Sequence, residues 1–180
     1  MWNPLPSLSA KAPEHWLWVQ PGRQQLLEMH ADVSVAQYTV STGRAGLGEE
    51  RGSGKTPRGW HYVRACVGAG LPADAVLRGR RWSGEHWQPN AQTTDPILAR
   101  ILWLSGLEPG RNRGGSVDTF RRYIYLHGTA DVERLGEAVS AGCVRLAPDA
   151  IIQLFPRSPA GTPVLIADTY KPLPELKRRP

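Results

Sequence analysis

The run Arg121-Arg122-Tyr123-Ile124-Tyr125-Leu126-His127 is the densest stretch of β-branched and aromatic residues in the chain, and the residues just C-terminal to it restrict the fold further. Such side chains suit the pleated surface of a sheet, so the run reads as a strand with Tyr123, Tyr125 and His127 on one face. It ends in His127-Gly128-Thr129, and ten residues later comes Ser140-Ala141-Gly142-Cys143-Val144-Arg145. A histidine at a strand end and a cysteine in a turn of small residues are the two groups that thiol-based nucleophilic catalysis needs.

A thiol is nucleophilic chiefly as thiolate, and its usual pKa of about 8.5 falls to roughly 3.5–7.5 beside an imidazolium, a cationic side chain or a helix N-terminus. His127 offers the first and Arg145 the second. Ser140, Ala141 and Gly142 let backbone and substrate approach the sulfur, and amide N–H groups near Gly142 and Cys143 can face a developing oxyanion. Val144 and Leu146 lead to Pro148, a position suited to a helix start, which would place Cys143 near the positive end of that helix. On these two residues alone the plainer alternative is a small buried thiol and a hydrogen-bonded core histidine.

Nineteen glycines and sixteen prolines in 180 residues argue against a helical bundle and for a loop-rich, mainly β fold. The length suits one substantial core, flanked by an extended N-terminal arm over residues 1–14 and a basic tail over 170–180, with the catalytic domain at 15–169. The net charge of +6 favours anionic partners, but no basic run is interleaved with stacking aromatics, so nucleic acid is not expected. No His or Cys pair has zinc-ligand spacing, so no metal and no cofactor are expected. With only Cys66 and Cys143, there is no disulfide framework and both thiols are expected free. The sequence given opens without a signal-peptide pattern and has no apolar run long enough to span a bilayer, which sets the expectation of a cytoplasmic protein.

In chain order, Trp16 to Val19 and Gln24 to His30 read as a hairpin, and Val33 to Val40 as a period-2 strand ending at Ser41-Thr42-Gly43. Arg44 to Thr56 is a glycine-rich loop whose Gly52-Ser53-Gly54-Lys55-Thr56 lacks the spacing of a phosphate-binding loop. Trp60 to Val67 is a strand, with His61 expected toward solvent or a rim. Val76 to Trp82, a turn at Ser83-Gly84 and Glu85 to Trp87 read as a second hairpin. Ile97 to Leu104 suits either a central strand or a short buried helix. Arg111 and Arg113 stand in a loop where their guanidinium forks could bind substrate carboxylates. Tyr125 is read as a packing residue or as a hydroxyl donor to substrate. Ala147 to Phe155 is a helix and Val164 to Ala167 a last strand.

The stretch His127-Gly128, spacer, Ser140-x-Gly142-Cys143-x-Arg145 resembles the catalytic signature of the L,D-transpeptidase (YkuD-like) family. Ser41-Thr42-Gly43 followed by Thr56-Pro57-x-Gly59 resembles a second, upstream family feature. One position departs: Ala141 stands where the family usually carries histidine. The resemblance covers roughly residues 16 to 168 and implies a single β-sandwich or barrel-like domain with a short helix after the cysteine, and a strand at 97–104. It implies Cys143 as nucleophile, His127 as base, the Gly128 carbonyl as the group orienting the imidazole, and Gly142 in the nucleophile turn. Ser140 and Arg145 would then bind substrate or anchor the turn.

The implied substrate is the stem peptide of peptidoglycan, cut between the L-centre of a diamino acid and a terminal D-alanine. Residues Gly110-Arg111-Asn112-Arg113 and Asp118-Thr119-Phe120-Arg121-Arg122-Tyr123 also resemble a cytoplasmic L,D-carboxypeptidase branch acting on soluble muropeptides. The expected activity is therefore hydrolysis of tetrapeptides. The alternatives are transpeptidation to 3,3 cross-links or D-amino-acid exchange, and a non-catalytic peptidoglycan-binding module.

Overall fold

A computed structural model describes residues 12–89, 95–170 and 172; the rest of the expected N-terminal arm and basic tail lies outside the described residues. Ten strands form: β1 (His15–Gln20), β2 (Gln25–His30), β3 (Val33–Ser41), β4 (Gly59–Val67), β5 (Ala75–Arg78), β6 (Arg81–His86), β7 (Ile97–Gly106), β8 (Tyr125–Thr129), β9 (Val144–Leu146) and β10 (Pro163–Ile166). They join in the order β4-β10-β1-β2-β3-β9-β8-β7-β5-β6, and a further β4–β7 pairing closes the first eight into a barrel. The mainly β, barrel-like class is thus what the residues build.

β7 makes closure possible because its ten residues serve three neighbours. One edge pairs with β8, while the other pairs with β5 at Ile97 and Leu98 and with β4 from Ile101 to Gly106. A register shift between Leu98 and Ile101 divides the two halves, with Ala99 at φ 62°. At this bulge the buried Arg100 donates to the carbonyls of Leu71 and Ala99, which satisfies oxygens the ladder leaves free.

The core holds Leu17, Leu26, Val40, Leu102, Leu126 and Leu146 of the strands with Ile151 and Leu154 of the one α-helix among the described residues, α1 (Pro148–Leu154). Gly128 lets this helix and β7 close in. A Cβ there would stand 2.5 Å from the Leu98 carbonyl oxygen and 3.4 Å from Ile151 Cγ2.

Two expectations change. The second hairpin turns at Gly79-Arg80, between paired Arg78 and Arg81, and not at Ser83-Gly84, which lie inside β6. A two-residue hairpin turn with both residues left-handed matches strand twist, and Gly79 and Arg80 have φ of 54° and 64°. Arg80 holds that conformation while its guanidinium covers the Trp103 and Tyr123 rings. The strand before the histidine also starts later, because Tyr123 sits left-handed at φ 58° and lies outside β8.

Candidate active site

β8 and β9 are parallel neighbours, with Leu126 opposite Val144, His127 opposite Arg145 and Gly128 opposite Leu146. Cys143 immediately precedes β9, so the register carried back one residue sets it beside Tyr125. The Tyr125 N–H does reach its sulfur, at 3.4 Å. His127 is the diagonal neighbour. Strand spacing of ~4.8 Å and a two-residue rise of ~6.6 Å put their backbones about 8 Å apart on one face. Both side chains line one cleft of about 310 Å³, together with Ser140, Arg145, Ala141 and Arg44.

His127 Nδ1 lies 2.8 Å from the Gly128 carbonyl oxygen. A carbonyl only accepts, so Nδ1 carries the proton and Nε2 keeps its lone pair toward the cleft. Burial pushes the imidazole pKa below its ordinary value, and Arg145 pushes the same way; the Gly128 bond and Asp95 oppose them. Burial raises the Cys143 thiol to about 11 against a backbone hydrogen bond from Tyr125 and the pull of Arg122. The resting pair is therefore a neutral thiol and a neutral imidazole, not the thiolate expected from the charges nearby. The thiol donates to the Tyr123 carbonyl at 3.4 Å. The end of α1 does not relieve the sulfur either: the three residues of β9, a rise of about 10 Å, and then Ala147 separate Cys143 from the helix start.

The nucleophile turn is built from its small residues. Ser140 Oγ accepts from the Gly142 N–H at 3.1 Å and donates to the Cys143 carbonyl at 2.6 Å. Thr56 Oγ1 donates to the Gly142 carbonyl at 2.9 Å and accepts from the Gly43 N–H at 2.8 Å. Because a trans peptide sets N–H and C=O opposite each other, fixing the Gly142 carbonyl turns the Cys143 N–H to the other side. Gly142 has φ 118°, which strains any side chain, and a Cβ there would crowd Lys55 O at 3.0 Å.

Arg145, 4% exposed, is committed to the protein. It pairs with Asp95, reaches Asp131 at 3.3 Å and donates to Ser41 Oγ at 3.2 Å. This lattice ties β9 to β3 and to the segments before β7 and after β8. Tyr125 packs with Leu77, Ile101 and Cys143, and its hydroxyl lies 3.3 Å from Arg80. Arg111 is not brought to this cleft. It is ion-paired with Glu108 and lines a separate hollow with Arg58, Trp60 and Leu165. Arg113 stays in the same turn, its N–H bonded to the Glu108 carbonyl.

His61 is fully buried rather than solvent-facing. Nδ1 is 2.9 Å from the Gly59 carbonyl and Nε2 is 3.1 Å from Thr119 Oγ1. The sequence reading missed Asp95 and Asp131, which neutralise Arg145, and Arg44, which lines the cleft from the β3–β4 loop. Asp95 also accepts from Thr129 Oγ1 and the Ala130 N–H. Its one sequence signal is an acid placed just ahead of the strand beside the catalytic one. Cys66 and Cys143 are both unbridged, and among the described residues no group of acidic, His and Cys side chains could hold a metal.

The L,D-transpeptidase catalytic domain model matches residues 14–166. The chain belongs to that family. A Bacillus subtilis protein, YqjB, described as a candidate L,D-transpeptidase, is 41% identical over 55 residues, 31% of each chain. Among solved structures, an L,D-transpeptidase of Mycobacterium smegmatis superposes with a TM-score of 0.53 at 16% identity, covering 85% of this chain and 58% of the other. One from Xylanimonas cellulosilytica gives 0.51 at 20% identity, covering 92% and 64%. This chain thus spans less than two thirds of these relatives' length, and at such identity the superpositions speak for the fold alone. Among the described residues no helix is long and apolar enough to cross a membrane.

Proposed function

We propose that this L,D-transpeptidase-family domain performs cysteine-dependent acyl transfer on peptidoglycan stem peptides, with water as the acceptor. The observation that carries it is the juxtaposition of Cys143 and a Gly128-tethered His127 in one cleft. Substrate entering the cleft displaces the thiol from the Tyr123 carbonyl. Cys143 Sγ then attacks the carbonyl before the terminal D-alanine as its proton passes to His127 Nε2. The Cys143 N–H, aimed by the Thr56–Gly142 bond, stabilises the oxyanion. The C–N bond breaks and the leaving amine takes the imidazolium proton. Water then gives a proton to His127 and attacks the thioester, the C–S bond breaks, and the thiol is restored. Because both partners rest neutral, charge appears only with substrate in place.

Hydrolysis is favoured by the likeness of residues 110–113 and 118–123 to the L,D-carboxypeptidase branch, which also suggests soluble cytoplasmic muropeptides as the substrate pool. The test is mass spectrometry of purified protein with a stem tetrapeptide, with and without excess D-amino acid. Conversion to tripeptide, unaffected by the added amine, is expected. Exchange of the terminal residue would make the acceptor an amine and the activity transpeptidation. Binding without turnover would leave only a peptidoglycan-binding module.

A further inference from the structure

A second hollow adjoins the catalytic cleft. Ala141, which lines the catalytic cleft, also lines a cavity of about 410 Å³ formed with Arg51, Arg121, Arg122 and Tyr123. Ala141 is the wall the two share, and the carbonyl of Tyr123, which lines the second, accepts from the Cys143 thiol at 3.4 Å.

Among the described residues none of the three arginines of this hollow has a carboxylate within ion-pair distance. Arg58, Arg78, Arg111, Arg134, Arg145 and Arg157 each have a carboxylate within ion-pair distance. Arg51 and Arg121 are exposed, and no side-chain partner of either is found among the described residues. Arg122 is fixed by neutral oxygens only: the carbonyls of Gly48 at 3.1 Å, Glu49 at 2.7 Å and Lys55 at 2.5 Å, and Ser53 Oγ at 3.5 Å. It pins the glycine-rich loop as one wall, and the more distant Glu49 and Glu50 carboxylates favour its charged form without pairing with it. Burial pushes its pKa down only from the top of the range, so it stays charged.

The side of the cleft then assigns the occupant. His127 must deliver a proton to the leaving amine, so the leaving group lies in the first cleft, on the His127 side. That leaves the opposite side of the sulfur, past Ala141 and toward the arginine hollow, open to the acyl-donor chain. A side chain longer than alanine's at residue 141 would narrow that passage.

We infer that the Arg51–Arg121–Arg122 hollow is a subsite for carboxylates on the acyl-donor portion of the peptide, N-terminal to the bond that is cut. Guanidinium forks bind carboxylates in bidentate geometry; Arg51 and Arg121 offer such forks and Arg122, its own fork held by the loop, adds charge, a set that selects acidic donors over amidated ones. The subsite rests on the proposed acyl-transfer reading, and its test reads the failure of each separately.

The test measures, by titration calorimetry, binding of an acidic stem tripeptide whose carboxylates other than the C-terminal one are free or amidated. The proteins are the wild type and the Arg51→Gln/Arg121→Gln variant. Both side chains are exposed and without partners, so the variant should fold, and circular dichroism checks it. The expected result is at least tenfold tighter binding of the free-carboxylate peptide by the wild type, with that preference lost in the variant. Equal affinity of the wild type for both peptides, or a preference that survives in the variant, overturns the subsite. Tetrapeptide cleavage is followed in parallel. Carboxylate-selective binding without cleavage would keep the subsite and discard the catalytic reading, whereas cleavage equally fast for free and amidated donors would do the reverse.

Discussion

Two buried histidines share one device and differ in a single contact. His127 and His61 each place Nδ1 against a backbone carbonyl, at 2.8 and 2.9 Å, and burial lowers the pKa of both, that of His61 to about 3. Both are thus neutral with Nε2 as the free nitrogen. His61 Nε2 meets Thr119 Oγ1 inside the protein, while His127 Nε2 borders the cleft that holds Cys143. Desolvation and a carbonyl tether therefore do not make a histidine catalytic. What the second nitrogen faces decides it.

The widest separation should be in turnover. His127→Gln is expected to lower kcat by about 10²–10⁴, the range for loss of a general base, while His61→Gln leaves kcat within a few-fold. Steady-state release of D-alanine measures both, and a His61 variant as slow as the His127 variant would break the comparison.

Stability in acid comes next. Folded His61 stays neutral down to about pH 3, whereas the unfolded chain protonates it near 6.5. Between those values the unfolded state binds the extra proton, so the contribution is complete above 6.5 and is lost as pH falls, by about 1.4 kcal/mol per unit. Urea unfolding at pH 7, 6 and 5 should show this slope. In His61→Gln it should flatten, leaving the contribution of His127, which has the same sign.

Removing the contact that distinguishes the two histidines is a gentler change. Thr119→Val should cost roughly 1–2 kcal/mol for a buried ring nitrogen left unsatisfied, read by thermal unfolding, with kcat unchanged. The smallest effect concerns the thiols. At pH 7 iodoacetamide should label Cys143 slowly, with the rate climbing toward pH 11 as the thiol ionises, and kcat/KM should fall on the acid side below 6.5 as His127 protonates. Rapid labelling at neutral pH would show a resting ion pair instead.

The strands around the site were legible because their patterns are local. Tyr125 to Thr129 announces itself by residue type, and Gly128 and Gly142 by their adjacency to His127 and Cys143. Long-range partners were not. Asp95 is 50 positions from the Arg145 it pairs with and carries no periodic signal. His61 looked like a strand residue open to solvent because alternation does not reveal that the Thr119 segment covers it. Arg111, though close to the catalytic strand in sequence, is turned away by its pairing with Glu108. Charge balance also misled. Cations near a thiol suggested a thiolate, but burial outweighs them, and the carboxylates that offset Arg145 come from other segments.

β9 is three residues long and lies between β3, joined antiparallel, and β8, joined parallel. Its pairing with β3 links Val40 to Leu146, a contact between distant parts of the chain whose loop closure is slow to form. The same three residues carry Cys143 into register with His127. A chain that has formed its hairpins but not seated β9 therefore has no aligned nucleophile, and turnover after dilution from denaturant should return only as β9 pairs with β3 and β8. Reactivity in this protein thus reports whether its shortest inner strand is in place.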